Sequence, residues 1–422
     1  MKKNKGILLA LAAAVLLGLS GCQEGQEEQP TELLLMNGWG GTGADHVAMR
    51  DIYTGFMEEN PDIRLILDSS PDISITIDKG EEMLAVDRMP DILSTNGYED
   101  FVKYAVGKGY ALDLIPYLEK EEGLSECIPA SVLESQMEDG ALYTVPDVVE
   151  LSGYWYNKEI FRQAGIEKNP ETWEEFWAMC QQLQNWSEQE QNQVVPVVME
   201  AGQAAFAFTG ARIAGEGREG LKMLEKKPEN FQHPAIEAAL KDLIHIYEYS
   251  GNMSTSLNEN DALDAFNKGK AAMYFNGAWA NVMISSKIPA GFSNYPEGVC
   301  LETITSGYVL SNTQGEKKTE AAIRFLKYIL SEEVQRRILR ETKQVPVNQN
   351  ISYLDFKEEL PLLIEAVETS KKAEIKVQSL RSAWGAEIVD WMQEHIGSLL
   401  DGSVTVEEYL QLLNQAAGVS AP

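Results

Sequence analysis

Residues 150–166 read ELSGYWYNKEIFRQAGI. A carboxylate, Glu150, opens the stretch, and three consecutive aromatics, Tyr154, Trp155 and Tyr156, come after it. Asn157 and Lys158 then lead a short amphipathic helix that stops at Gly165. Alternate residues on a strand face opposite ways, so Tyr154 is expected on one face and Trp155 or Tyr156 beneath it. The chain before this stretch reads as one α/β lobe. The chain after it reads mostly as a second lobe, with one return to the first.

Working outward, 422 residues are too many for one ordinary core, which favours two lobes. Hydrophobic content of 44% with 24% charged residues is that of a globular chain. The formal net charge is −30. Such a surface repels phosphate backbones, and no basic patch is interleaved with aromatics, so nucleic acid is not an expected partner. Anionic solutes are disfavoured for the same reason. Only four histidines occur, none four residues apart or beside a cysteine, so neither a zinc site nor a histidine-based catalytic centre is expected.

The N-terminus reads as an export address. Lys2, Lys3 and Lys5 precede an apolar run, Ile7 to Leu19, that is short for a membrane span, and Leu19-Ser20-Gly21-Cys22 comes next. Small residues directly before a cysteine resemble a lipobox, in which cleavage precedes the cysteine and its thiol takes a diacylglycerol. Residues 1–21 are therefore expected to be a lipoprotein signal peptide, with Cys22 lipidated. Residues 22–31, polar and acidic, read as a flexible tether. Of the remaining cysteines, Cys127, Cys180 and Cys300 have no CxxC spacing and are odd in number, which favours buried thiols over a disulfide framework.

Near the start, Leu33 to Met36 reads as a buried strand. It ends in Asn37-Gly-Trp39-Gly-Gly-Thr-Gly43, and a helix with apolar positions Val47, Ile52 and Phe56 runs from there until Asn60-Pro61. Gly38, Gly40 and Gly43 spell GxGxxG, and Asp68 ends the next strand, as in a dinucleotide site. Trp39 would crowd a pyrophosphate. The other readings are a ligand-facing loop and a plain turn. Farther on, Asp139-Gly140 marks a hairpin that delivers Glu150. Thr172 with Glu175 forms a capping box, and Trp173, Phe176, Trp177, Cys180 and Leu183 keep to one helical face as core.

Several of these stretches together carry a family resemblance. Gly153-x-Trp-Tyr-Asn-Lys-x-x-Phe-x-x-Ala-Gly-Ile166 with Pro170-x-Thr-Trp-Glu-Glu-Phe176 is one. Pro90-Asp-Ile-Leu93, Asp139-Gly-Ala-Leu-Tyr-Thr-Val-Pro146 and Phe266-Asn-Lys-Gly-Lys-Ala-Ala-Met-Tyr-Phe-Asn-Gly-Ala-Trp279 are the others. They resemble the extracellular solute-binding proteins of sugar importers, the maltose-binding-protein relatives, over nearly all of the chain after residue 30. The resemblance implies a two-lobed α/β fold of the type II periplasmic-binding kind, each lobe a mixed sheet flanked by helices, joined by hinge crossovers. Residues 32–148 and 302–347 would form the N-terminal lobe; 149–301 and 348–422 would form the C-terminal lobe.

A sugar presents C–H faces that stack on aromatic rings and hydroxyl rims that need amide or charged partners. The resemblance carries stacking roles to Trp39, Trp279 and Trp384, and a hydroxyl-binding role to Glu150, six residues before Tyr156. Asn96, Tyr98, Glu99 and Asp100 belong to a loop that faces the ligand in the family, Tyr154 would line the hinge side of the cleft, and Asp147 and Arg381 are further candidates. The absence of an Asp-Lys pair in the first loop speaks against maltose itself. The implied function is non-enzymatic: a monomeric, lipid-anchored receptor on the extracellular or periplasmic face, capturing a neutral sugar or oligosaccharide without a cofactor and delivering it to the membrane permease of an ATP-binding-cassette importer. Alternatives are a polyamine or other cation as solute, presentation of the solute to a sensor, and, remotely, a secreted glycoside hydrolase with two carboxylates flanking the scissile bond.

Overall fold

The computed structural model describes residues 29–95, 98–120, 126–251, 258–304 and 307–419. Cys22, the signal peptide and Asn96 lie outside them. The first half of the chain supplies β1 (Thr31–Asn37), β2 (Ile63–Ser69), β3 (Ile92–Ser94), the hairpin β4 and β5 (Met137–Glu138, Ala141–Leu142), β6 (Thr144–Val145) and β7 (Val148–Asn157). Later come β8 (Val195–Val198), β9 (Ala271–Gly277), β10 (Ala290–Ser293), β11 (Val299–Thr303), β12 (Tyr308–Leu310), β13 (Val345–Pro346) and β14 (Ile375–Val377).

Strand pairing sorts these into two main sheets. One has the order β2-β1-β3-β12-β6 and the other β14-β11-β7-β9-β8, with β10 and β13 also on β7. β1 runs parallel to both β2 and β3, whereas β12 is antiparallel to β3 and β6. A parallel strand covered on both faces reads as continuous apolar sequence, which is why Leu33-Leu34-Leu35-Met36 shows no alternation. The chain passes from the first sheet to the second between β6 and β7, returns between β11 and β12, and crosses again before β13.

β7 is the spine of the second sheet. Along its length it meets β13 at Val148 and Val149, β11 at Glu150 to Ser152, β9 at Ser152 to Tyr156, and β10 at Tyr154 to Asn157. Asn157 then caps the helix Lys158–Gln163, its Oδ1 accepting from the N–H groups of Glu159 (3.0 Å) and Ile160 (3.2 Å). Gly165, at φ 72°, takes the left-handed conformation that ends it.

Helices cover each sheet. In the first lobe Tyr53 and Phe56 of the helix Ala44–Glu59 meet Phe325 of the helix Glu316–Leu330, with ring centroids 5.8 and 5.4 Å apart. Val47 is 41% exposed and does not join them, which corrects its reading as an apolar contact of that helix. In the second lobe the helix Trp173–Glu190 presses Trp173, Phe176, Cys180 and Leu183 into the core. Thr172 caps it by accepting from Glu175 N, but Glu175 reaches back to Glu171 N (2.8 Å). A reciprocal capping box forms instead at Thr405 and Glu408. Cys127, Cys180 and Cys300 are buried free thiols.

Candidate ligand cleft

A cleft of about 580 Å³ opens where the two lobes face each other. The first lobe contributes Tyr98 and Asp100; the second supplies the rest of the wall. Glu150 and Ser152 reach it because they are two apart on β7 and so share a face, and Thr303, paired with Glu150 across the ladder, joins them. Phe206 and Ala207 arrive from the helix Gln203–Ala214, and Arg381 from the helix Leu380–Trp384. Arg381 Nη2 is held by Asp390 Oδ1 at 2.5 Å.

Tyr98 stands opposite that pair. Burial raises its hydroxyl above the usual phenol range, and the Asp72 carboxylate adds to the rise while Arg381 opposes it. At another part of the wall Glu200 Oε1 accepts from Ala204 N (3.2 Å), at the start of the helix Gln203–Ala214. Glu259 Oε1 accepts from Asn276 Nδ2 (3.1 Å), and the same amide contacts the Tyr274 hydroxyl. Among the described residues no group of three or more His, Cys, Asp or Glu is arranged to hold a metal ion.

The structure thus brings together Tyr98, Asp100, Glu150 and Arg381 of the sequence candidates. Trp39 lines a separate small cavity of about 180 Å³ with Gly38, His46, Pro71, Ile73 and Ser94. That cavity lies beyond the C-terminal ends of β1 and β3, where open parallel sheets place ligands. Its indole meets His46 edge-on at 5.3 Å, and Arg50 donates to the carbonyls of Trp39 and Gly41. Glycine is required at 40 because a Cβ there would collide with Ser69 O. Close packing of two backbones, not a phosphate, accounts for it.

Two candidates, Tyr154 and Trp384, are corrected, and Trp279 stands outside the open cleft. Tyr154 is fully buried, its ring stacked on Phe275 at 5.2 Å and edge-on to Phe176 at 6.4 Å. It shares the face of Glu150 and Ser152, but at its position the helix Trp173–Glu190 already covers that face. Trp384 is 3% exposed, donates from Nε1 to Met223 O (2.7 Å) and meets Phe231 edge-on at 5.2 Å. It is a core ring that pins its helix. Trp279 is half-buried on the 3-10 turn Ala278–Val282, does not line the cleft, and folds over Gly277, where a Cβ would collide with its ring.

Asp147 also lies off the cleft, in the crossing between β6 and β7. Its carboxylate accepts from Tyr308 Oη (3.1 Å), which lies 3.0 Å from Tyr53 Oη. Burial pushes its pKa up to about 6 despite that hydrogen bond.

Glu200, Glu259 and Asp390 were missed by sequence reasoning, and so were Ser152 and Thr303. Ser152 was readable from strand alternation with Glu150. Glu200, Glu259 and Asp390 carry no local signal, because separate loops and helices bring them to the wall.

Known proteins resemble this arrangement. The model of the bacterial extracellular solute-binding protein family matches residues 51–363. An uncharacterized extracellular-binding protein of an ABC transporter from Pyrococcus horikoshii is 24% identical over 328 residues, covering 74% of each chain. The multiple sugar-binding protein of Streptococcus mutans is 25% identical over 307 residues, 67% of each chain. A Streptococcus pneumoniae solute-binding protein, solved with the blood group A-trisaccharide, superposes with a TM-score of 0.76 at 24% identity, over 92% of this chain and 99% of that one. The two-lobed type II fold is thereby shared with solved solute-binding proteins, and the family is one of receptors, not of enzymes. With most of its length matched by the family model, this chain is a member of the bacterial extracellular solute-binding protein family.

Proposed function

We propose that the protein captures a neutral sugar or oligosaccharide in its interlobe cleft and delivers it to the permease of an ATP-binding-cassette importer. The observation that carries this reading is the cleft floor, where Glu150, Ser152 and Thr303 of adjacent strands bring a carboxylate and two hydroxyls to a cleft that Tyr98 also lines. A carboxylate accepts from sugar hydroxyls, while serine and threonine both donate and accept. The size suits a small oligosaccharide, since ligand sites commonly span about 300–1,000 Å³. Similarity to a multiple sugar-binding protein and to a trisaccharide-bound structure supports it.

Binding would draw the lobes together by rotation at the crossovers, the motion periplasmic binding proteins are known for. Trp39 and Trp279 are proposed to meet the solute only as the cleft closes, and Asn96 belongs to the same proposal. The receptor would act as a monomer tethered through lipidated Cys22 on the outer face of the membrane, a reading supported by the sequence before residue 23. No helix of the described residues is long and apolar enough to cross a membrane. A second reading, a cationic solute such as a polyamine, is favoured by the number of carboxylates on the wall.

A thermal-shift screen of the purified protein against saccharides, polyamines and phosphate esters tests the proposal, because a ligand bound only by the folded state raises the melting temperature. A shift confined to saccharides is the expected result. A response to spermidine with silence from every saccharide would replace the sugar by a cation.

A further inference from the structure

Asp147 is the residue at which all three crossings between the lobes meet. Its own segment joins β6 to β7. Its carboxylate accepts from the hydroxyl of Tyr308, the first residue of β12, at 3.1 Å, and its main-chain oxygen accepts from Val347 N, next to β13, at 3.0 Å. Pro146 and Pro346 stand directly before two of the tied residues, and a proline ring fixes φ. Rotation of the lobes must move these segments relative to one another. It cannot do so without straining or parting one of the two ties.

The tie is dry and extends into the first lobe. Asp147, Tyr308, Tyr53 and Val347 are at most 5% exposed. Tyr308 spends its one hydrogen on Asp147, so the Tyr53 hydroxyl, 3.0 Å away, donates to Tyr308. Trp39, on the loop after β1, is a further hydrogen-bond partner of Tyr53. Phe325 of the helix Glu316–Leu330 faces both tyrosine rings, at 5.8 and 5.4 Å, and Gln335 Oε1 accepts from Asn348 N beside Val347. The groups acting on the carboxylate are the Tyr308 hydroxyl and the N–H groups of Asp147 and Val148; no lysine, arginine or histidine of the described residues is among them.

A buried carboxylate without a counter-charge is costly, whereas its neutral acid is not. Burial accordingly pushes the pKa of Asp147 up to about 6. By linkage, the arrangement seen here is favoured while Asp147 is protonated. It loses that advantage as pH rises through about 6, relative to any arrangement that lets water in. The arrangement seen here is one with the cleft open, Tyr98 on its wall being 38% exposed.

We propose that Asp147 is a positioning residue for lobe closure: protonated, it pins the three crossings with the cleft open, and on losing its proton it admits water and frees them to rotate. The receptor then closes more readily, and holds its solute more tightly, at neutral than at acid pH. This goes beyond the reading above and rests on movement of the lobes, not on the solute being a sugar.

Small-angle scattering of the purified protein without solute, extrapolated to zero concentration, tests the proposal from about pH 5 to about pH 7.5, with amide exchange of residues 345–348 followed alongside. The radius of gyration of the wild type is expected to fall as pH rises, with a midpoint near about 6. Exchange at Val347, corrected for its intrinsic pH dependence, should quicken at least about tenfold over the same range. Asp147→Asn, neutral at every pH, should keep the acid-end values throughout. Tyr308→Phe removes the donor that favours the carboxylate and should move the midpoint upward, and it carries the test if the asparagine variant does not fold. A wild type without pH dependence, a change in the opposite direction, or the same change in Asp147→Asn overturns the proposal. So does an unmoved midpoint in Tyr308→Phe. Because no solute is present, none of these outcomes bears on the sugar reading.

Discussion

Glu150 and Tyr154 leave β7 on the same face, four residues apart, yet one reaches the cleft and the other is sealed in the second-lobe core. At roughly 3.3 Å per residue the two are about 13 Å apart along the strand. Over that distance the covering changes from open cleft to Phe176 and Phe275. Parity is a local property of the backbone. Depth is decided by whichever helix happens to lie over the strand, and the helix over Tyr154 is a separate element, Trp173–Glu190.

The largest effect expected of this contrast is at Trp384. If it belongs to the core, Trp384→Ala should cost about 3–5 kcal/mol of folding stability, as large-to-small core changes do. A denaturation curve checks it, and unchanged stability with lost solute binding would return Trp384 to the cleft.

The next concerns the crossing itself. Asp147 has its pKa raised from 3.8 to about 6, so its protonated form is the one the fold favours. That contribution is fully present below the unfolded pKa near 4 and is lost as pH rises through about 6, on the order of 3 kcal/mol over the window. Urea melts of wild type and Asp147→Asn from about pH 4 to pH 8 should show the wild type falling relative to the variant. Parallel profiles would mean that Asp147 is better solvated than its place between β6 and β7 suggests.

A smaller effect sharpens the cleft end of β7. Glu150→Gln should weaken solute binding by about tenfold, or 1.4 kcal/mol, with little change in melting temperature. Tyr154→Ala should do the reverse, and an exchange of the two outcomes would invert the assignment of face to depth. The smallest is expected at Tyr98, which is 38% exposed. Tyr98→Ala should reduce affinity by about 0.5–1.5 kcal/mol, the worth of one aromatic contact, and calorimetry with the solute found by the screen would read it.

Much of the fold was legible from residue types. The first strand, the Asp139-Gly140 hairpin, Asn157 leading a short helix, and the Trp173 to Leu183 stripe are governed by contacts within a few residues, so their signals lie in the local sequence. Tryptophans were the least legible. Trp39, Trp279 and Trp384 all adjoin turns, and a large amphipathic ring beside a turn serves a cleft or a core equally well. Which it serves depends on distant partners such as Met223 and Phe231 for Trp384.

By itself, then, the sequence determined an acidic α/β chain long enough for two lobes and the position of its spine strand, while the receptor fold and the place of Glu150 came from its resemblance to solute-binding proteins. Hydrophobic periodicity, turn chemistry and charge act over short range, and they need no knowledge of what packs where. Only the tertiary structure decided that Tyr154 and Trp384 are core, that Asp147 is buried at the crossing, and that Glu200 and Glu259 share a wall with Glu150. Those outcomes depend on segments far apart in the chain meeting in space, and burial, desolvation and electrostatic pairing exist only once they have met.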